Sequence, residues 1–212
     1  MKRQMIYCLL FFTAFSTSLF AQSDRQAGQI IADFIRSVEQ NTVQAEFEMT
    51  MLDENNRVTQ VQNGIFRMKG NKFSLITDDI HIFFDEKTHW TYMDAVGEVT
   101  ITEPTGEELT DVNPIFLLRQ YQNNSTIRFA PGSNSAENHN IEMTPNVLAD
   151  FSKIFVQINK KNQNLSSIRL ISQGYTMQVN FRNFRRGVNI SDSSFVFDKS
   201  KYDADVFIND LR

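Results

Sequence analysis

Apolar and polar positions change period once near the start of the chain. Ala27, Ile30, Ile31, Phe34, Ile35 and Val38 recur at steps of three and four. This spacing predicts an amphipathic helix, capped by Ser23 or Asp24, with one face that must rest on something. From Val43 the period becomes two. Val43, Ala45, Phe47, Met49 and Met51 alternate with Gln44, Glu46, Glu48 and Thr50, the pattern of a half-buried antiparallel strand. DENN at 53–56 predicts a turn. A strand from Val58 to Lys69 follows, with Gly64 read as a bulge or bend. KGN at 69–71 turns the chain into KFSLIT. IHIFF, the turn DEKT, HWTYM and EVTIT come next.

The segment PTGEELTDVNP interrupts the strands. Thr110 or Asp111 is the expected cap, and Pro114 suits a first helical turn. Ile115, Phe116, Leu117, Leu118 and Tyr121 then predict a short apolar helix. A strand at 125–130 and a polar loop, GSNSAENHN, lead into further strands: IEM, KIFVQIN, LSSIRLI, YTMQVNF, SFVF and DVFI. Strands joined by short turns make a meander, and so many twisted strands curl towards a barrel. The predicted fold is mainly β: an unclosed antiparallel barrel of about ten or eleven strands. Helices cover its concave face as a lid, and either fill the hollow or only roof it.

The first residues sharpen the picture. Lys2 and Arg3 precede an apolar run from Met5 to about Phe15, then small and polar residues to Ala21, the pattern of a secretory signal peptide cleaved near Ala21. Residues 22–212 are then expected to form one domain, exported to the periplasm. The only cysteine, Cys8, lies inside the signal, too early to carry a lipid anchor. Loss of Lys2 and Arg3 takes the net charge from −4 to −6. A mildly acidic surface argues against nucleic acid and anionic membrane as partners. The chain also holds 19 phenylalanines and 8 methionines, side chains that suit a Phe-rich core or an adaptable binding surface.

No catalytic constellation emerges: G-x-S-x-G, H-E-x-x-H and a phosphate-cradling glycine loop are all absent from the sequence. His81 and His89 flank Asp85, but two histidines and a turn aspartate are a thin ligand set for zinc. His81 falls in the polar phase of Ile80, Ile82 and Phe84, which directs it to solvent. No catalytic residue, metal or cofactor is expected. RNFRRG at 182–187 reads as a solvated basic turn.

The string GNKFSLITDDIHIFFDEKTHWTYMDAVGEVTI, followed by VNPIFLLRQY, resembles the outer-membrane lipoprotein carrier (LolA-like) family. Lys69, Gly70, Asn71 and Phe73 match one turn motif. Asp85, Lys87, Thr88, Trp90 and Tyr92 match a hairpin motif. Asn113, Pro114, Leu117 and Leu118 match the start of a helix. The resemblance implies an unclosed half-barrel with a helical lid over a cavity for lipoprotein acyl chains. Ile35 and Phe73 match family positions that touch lid and cavity. The chain departs from the family at Glu86, where a turn glycine stands, and after Lys69. There Gly70 follows directly, without the arginine held to tie lid to barrel.

These readings make Ile31, Phe34, Ile35, Phe47, Met49, Phe66, Met68, Phe73, Leu75, Trp90, Tyr92, Leu117 and Leu118 the candidate cavity and lid residues. The resemblance implies a monomeric periplasmic carrier of acylated lipoproteins. It would receive them from an inner-membrane ABC transporter and deliver them to an outer-membrane acceptor. Two readings compete: a lipid- or envelope-stress-sensing module on the same half-barrel, which binds without transporting, and an extracytoplasmic hydrolase on a barrel scaffold, which the lack of a nucleophile–base pair disfavours.

Overall fold

A computed structural model describes residues 22, 24–132, 135–146 and 149–212. The expected signal peptide, Ser23 and part of the polar loop lie outside the described residues. Helix α1 spans residues 24–39 and buries Ala27, Ile31, Phe34, Ile35 and Val38 on one face, as its spacing requires. Twelve strands follow among the described residues. The first six are β1 (Val43–Asp53), β2 (Val58–Lys69), β3 (Lys72–Thr77), β4 (Ile80–Phe84), β5 (His89–Met93) and β6 (Glu98–Thr102). Helix α2 (Pro114–Gln122) separates them from β7 (Ser125–Phe129), β8 (Asn138–Pro145), β9 (Phe151–Asn159), β10 (Leu165–Ser172), β11 (Tyr175–Arg186) and β12 (Phe207–Asp210).

All twelve form one sheet in the order β12-β6-β5-β4-β3-β2-β1-β11-β10-β9-β8-β7. Two meanders therefore meet where β1 pairs antiparallel with β11, and the edges β7 and β12 do not pair with each other. The sheet is an unclosed half-barrel. Only β12 runs parallel to its neighbour, β6. The main core lies between the concave face and the two helices. It unites α1, α2 and alternate residues of the strands, including Phe47, Phe66, Phe73, Ile154 and Ile168.

The turns obey local chemistry. Asp85 Oδ1 accepts from the amides of Lys87 and Thr88 at 3.0 and 2.8 Å, closing the DEKT hairpin. Glu86 then sits at φ 89, a left-handed conformation that favours glycine. This is the position where the resembling family carries one.

Gly64 is not a bulge. It stands in regular register opposite Phe47 and Thr77, and the Phe47 ring lies over it. A Cβ there would meet Phe47 Cζ at 2.6 Å and the Ile76 carbonyl oxygen at 2.5 Å. A strand glycine normally gains from replacement by alanine, but here the clash reverses the sign. Gly64→Ala is expected to cost about 1–3 kcal/mol. A urea midpoint equal to wild type would show that the Phe47 ring is free to move aside.

Two further expectations are corrected. SFVF is not a strand: Asp192–Phe195 form a 3-10 turn, with the Ser191 side chain accepting from the Ser193 amide. The cap of α2 is Asn113, not Thr110 or Asp111, because Pro114 takes the first helical turn and Asn113 stands just before it.

Candidate functional site: a roofed apolar cavity

A cavity of about 190 Å³ opens between the concave sheet and the segment that leads into α2. Phe47 and Met49 of β1, Phe66 of β2, Leu75 of β3 and Ile80 and Ile82 of β4 form one side. Ile168 and Leu170 of β10 with Met177, Val179 and Phe181 of β11 form the other. Residues Thr110–Pro114 and Leu117 make the roof. The wall is continuous because β1 sits at the centre of the sheet. Phe47, Met49 and Met51 are register partners of Phe181, Val179 and Met177, so the apolar phases of the two meanders meet on one face.

Polar groups gather at the roof edge. Asp111 borders the cavity, and burial pushes its carboxyl up from the ordinary aspartate range, helped by Asp150, Glu107 and Glu108. Thr105 holds the Glu108 carboxylate through its amide at 2.7 Å and its hydroxyl at 2.9 Å.

Five sequence candidates line this cavity: Phe47, Met49, Phe66, Leu75 and Leu117. Ile31, Phe34, Ile35, Met68, Phe73 and Leu118 are buried in the same core behind the walls. Trp90 and Tyr92 are not brought to it. Phe83 pairs with Trp90 and His81 with Tyr92, so these side chains share the convex face, opposite Ile82 and Phe84. There they join a second cluster with Val99, Ile101, Val206, Phe197 and Tyr202. His81 is not turned to solvent either. Its Nδ1 lies 2.7 Å from the Tyr202 hydroxyl, whose pKa burial pushes up to about 12. His89 lies on the concave face beside Phe73, with ring centroids 6.4 Å apart. Burial holds its imidazole below the ordinary histidine pKa. The two histidines thus occupy opposite faces and do not converge on Asp85.

The walls from β10 and β11 were missing from the sequence candidates. The alternation of Met177, Val179 and Phe181 marked an apolar face. Only the β1–β11 pairing places that face beside Phe47 and Met49.

An open antiparallel half-barrel with a helix-roofed apolar hollow is a scaffold for apolar ligands. The family model described as outer membrane lipoprotein carrier protein LolA matches residues 17–174, and the chain belongs to that family. The match ends one residue before β11. An outer-membrane lipoprotein carrier protein of Idiomarina loihiensis is 24% identical over 205 residues, covering 93% of this chain and 94% of its own. Among solved structures, a conserved protein from Thermus thermophilus has a TM-score of 0.58 at 12% identity, over 86% of this chain and 98% of its own. That likeness shows the fold. A LolA superfamily protein from Nitrosomonas europaea matches with a TM-score of 0.42 at 10% identity, over 81% of this chain and 97% of its own.

Proposed function

We propose that the chain is a monomeric, single-domain periplasmic carrier, not an enzyme. It holds the acyl chains of lipoproteins in the roofed cavity and takes them from the inner to the outer membrane. An inner-membrane ABC transporter would load it and an outer-membrane acceptor would unload it. The observation that carries this reading is the apolar cavity itself, walled by Phe and Met in a chain of this family. Each methylene removed from water contributes about 0.8 kcal/mol, so partial burial of a chain is enough to solubilise cargo. Reversible delivery needs adaptable walls, and Met49 and Met177, diagonal neighbours across the β1–β11 seam, line the cavity with unbranched thioethers.

The test adds the purified protein to spheroplasts and probes the medium for lipoproteins in soluble complex. Wild type is expected to release them. Met49→Glu places a carboxylate against the apolar wall at a half-buried position, which the fold tolerates better than a charge at a sealed one. Release is expected to fall at least tenfold, because a charge beside an acyl chain must be desolvated. Release of nothing by wild type, under conditions where an established carrier works, overturns the transport reading.

A further inference from the structure

Asn113 holds an unusual place at the roof. It is 1% exposed and lines the cavity. Its backbone amide donates to the Leu109 carbonyl at 3.1 Å, and its carbonyl accepts from the Leu117 amide at 3.0 Å. Its Oδ1 caps α2, accepting from the amides of Ile115 at 2.8 Å and Phe116 at 3.3 Å. Those two donors fix the amide orientation, since a flipped side chain would set NH2 against N–H. One polar atom is left over. Nδ2 is buried and has no hydrogen-bond partner among the described residues.

A buried donor without a partner is costly, and a cap does not require one. Serine, threonine or aspartate would cap α2 as well without leaving an orphan amide. The donor belongs to a residue that borders an apolar hollow, on the segment that forms its roof. An acyl chain brings a single kind of acceptor into such a hollow: the carbonyl oxygen that joins the chain to its head. Beyond the roof, Thr110 and Asp111 mark a polar edge where a head group can leave for water.

We propose that Asn113 reads the head of a bound acyl chain, its Nδ2 donating to the carbonyl oxygen of the ester or amide linkage. This rests on the acyl-binding reading above and adds orientation to it: the tail lies against β1–β4 and β11, and the head lies under the start of α2. Nδ2 is sealed in the present arrangement, so the contact forms as the roof lifts to admit cargo. The unpaired donor thereby lowers the cost of opening, and the cargo carbonyl replaces what the closed roof lacks.

The test uses the full mature chain and competition against a fluorescent fatty-acyl probe. The competitors are a dipalmitoylglyceryl-cysteine peptide and a dipalmitoyl phospholipid, each paired with its dialkyl ether counterpart of equal length. Wild type is expected to prefer ester to ether by about fivefold, the size of one net hydrogen bond. Asn113→Asp keeps an oxygen cap and removes the donor; Asn113→Ser keeps an uncharged oxygen cap and removes the Nδ2 arm, its shorter hydroxyl standing back from the hollow. Both are expected to fold, by circular dichroism melting, and to bind ester and ether alike. Equal binding by wild type, or a preference that survives in both variants, overturns the role of Asn113 and leaves the cavity reading standing. Binding of no competitor overturns the cavity reading itself. A preference confined to the phospholipid pair supports Asn113 and assigns the carbonyl to a free lipid, which overturns lipoprotein carriage.

Discussion

Phe73→Ala is expected to destabilise the protein by about 3–5 kcal/mol. Phe73 has no exposed surface. Its ring lies 5.5 Å from Phe84, its register partner on β4, and 5.8 Å edge-on from Phe116 of α2. One side chain thus joins two strands to the roof helix. The polar ties of α2 are weaker. Arg119 pairs with Glu39 of α1 at 2.8 Å and reaches Asn71 of the β2–β3 turn at 3.2 Å. It therefore links roof to barrel from the helix side, in a chain whose turn lacks the family arginine. Both partners of the ion pair are about a third exposed, and such pairs contribute roughly 0–1 kcal/mol. The Arg119 guanidinium also lies 4.6 Å from the centre of the Phe116 ring, which adds about 0.5–1 kcal/mol at an exposed site. Apolar contact at Phe73 should accordingly outweigh the whole polar latch. In urea denaturation, Phe73→Ala should lower the midpoint several times more than Arg119→Met. Equal shifts would mean that charge, not packing, holds the roof down. Amides of α2 should also exchange faster in Phe73→Ala, because the helix loses its aromatic anchor.

Much of this arrangement is legible in the order of residues. The step of three and four over Ala27–Val38 predicts α1, and alternation predicts the strands of both meanders. What alternation does not give is which strand meets which across the long connection. The β1–β11 seam and half the cavity wall depend on that pairing. Alternation also fails where both faces are apolar. In IHIFF and HWTYM, Ile80, Ile82 and Phe84 form one apolar phase, while Phe83, Trp90 and Tyr92 form another. The hairpin register puts these sets on opposite faces. A strand apolar on both sides must be covered on both sides, so the surplus aromatic phase was a signal that something packs on the convex face. The two polar residues of β5, His89 and Thr91, are the ones that share the concave phase. Reading HWTYM alone, with its aromatic residues assigned to the cavity, inverts the strand.

The cover on that second face is the chain after β11, and it carries the other large expected effect. Asp192–Phe195 pack over β3 and β4, with Phe195 wholly buried. Tyr202 lies tilted against Tyr92 and stacks on Phe197, at 4.4 and 4.6 Å between ring centroids. β12 then adds to the β6 edge. Charge guides the segment into place: Asp192 lies between Lys69 and Lys72, at 2.7 and 2.8 Å, and their hydrogen bonds draw its pKa down to about 2. These groups are well exposed, so screening leaves them little weight in stability. Phe195 carries the energy. Phe195→Ala is expected to cost about 3–5 kcal/mol, the range for a sealed aromatic side chain, whereas Asp192→Asn should move the midpoint far less. Trp90 is the only tryptophan of the chain and packs against the convex cluster, so its fluorescence reports this face directly. In Phe195→Ala its emission should shift to the red at lower urea than the wild-type transition. The cavity walls lie on the opposite face, so acyl-probe binding should persist in the folded variant below its own transition. An unchanged Trp90 transition would show that residues 188–212 merely lie against the half-barrel. Loss of probe binding in a still-folded variant would couple the convex cover to the cavity through the shared strands β3 and β4.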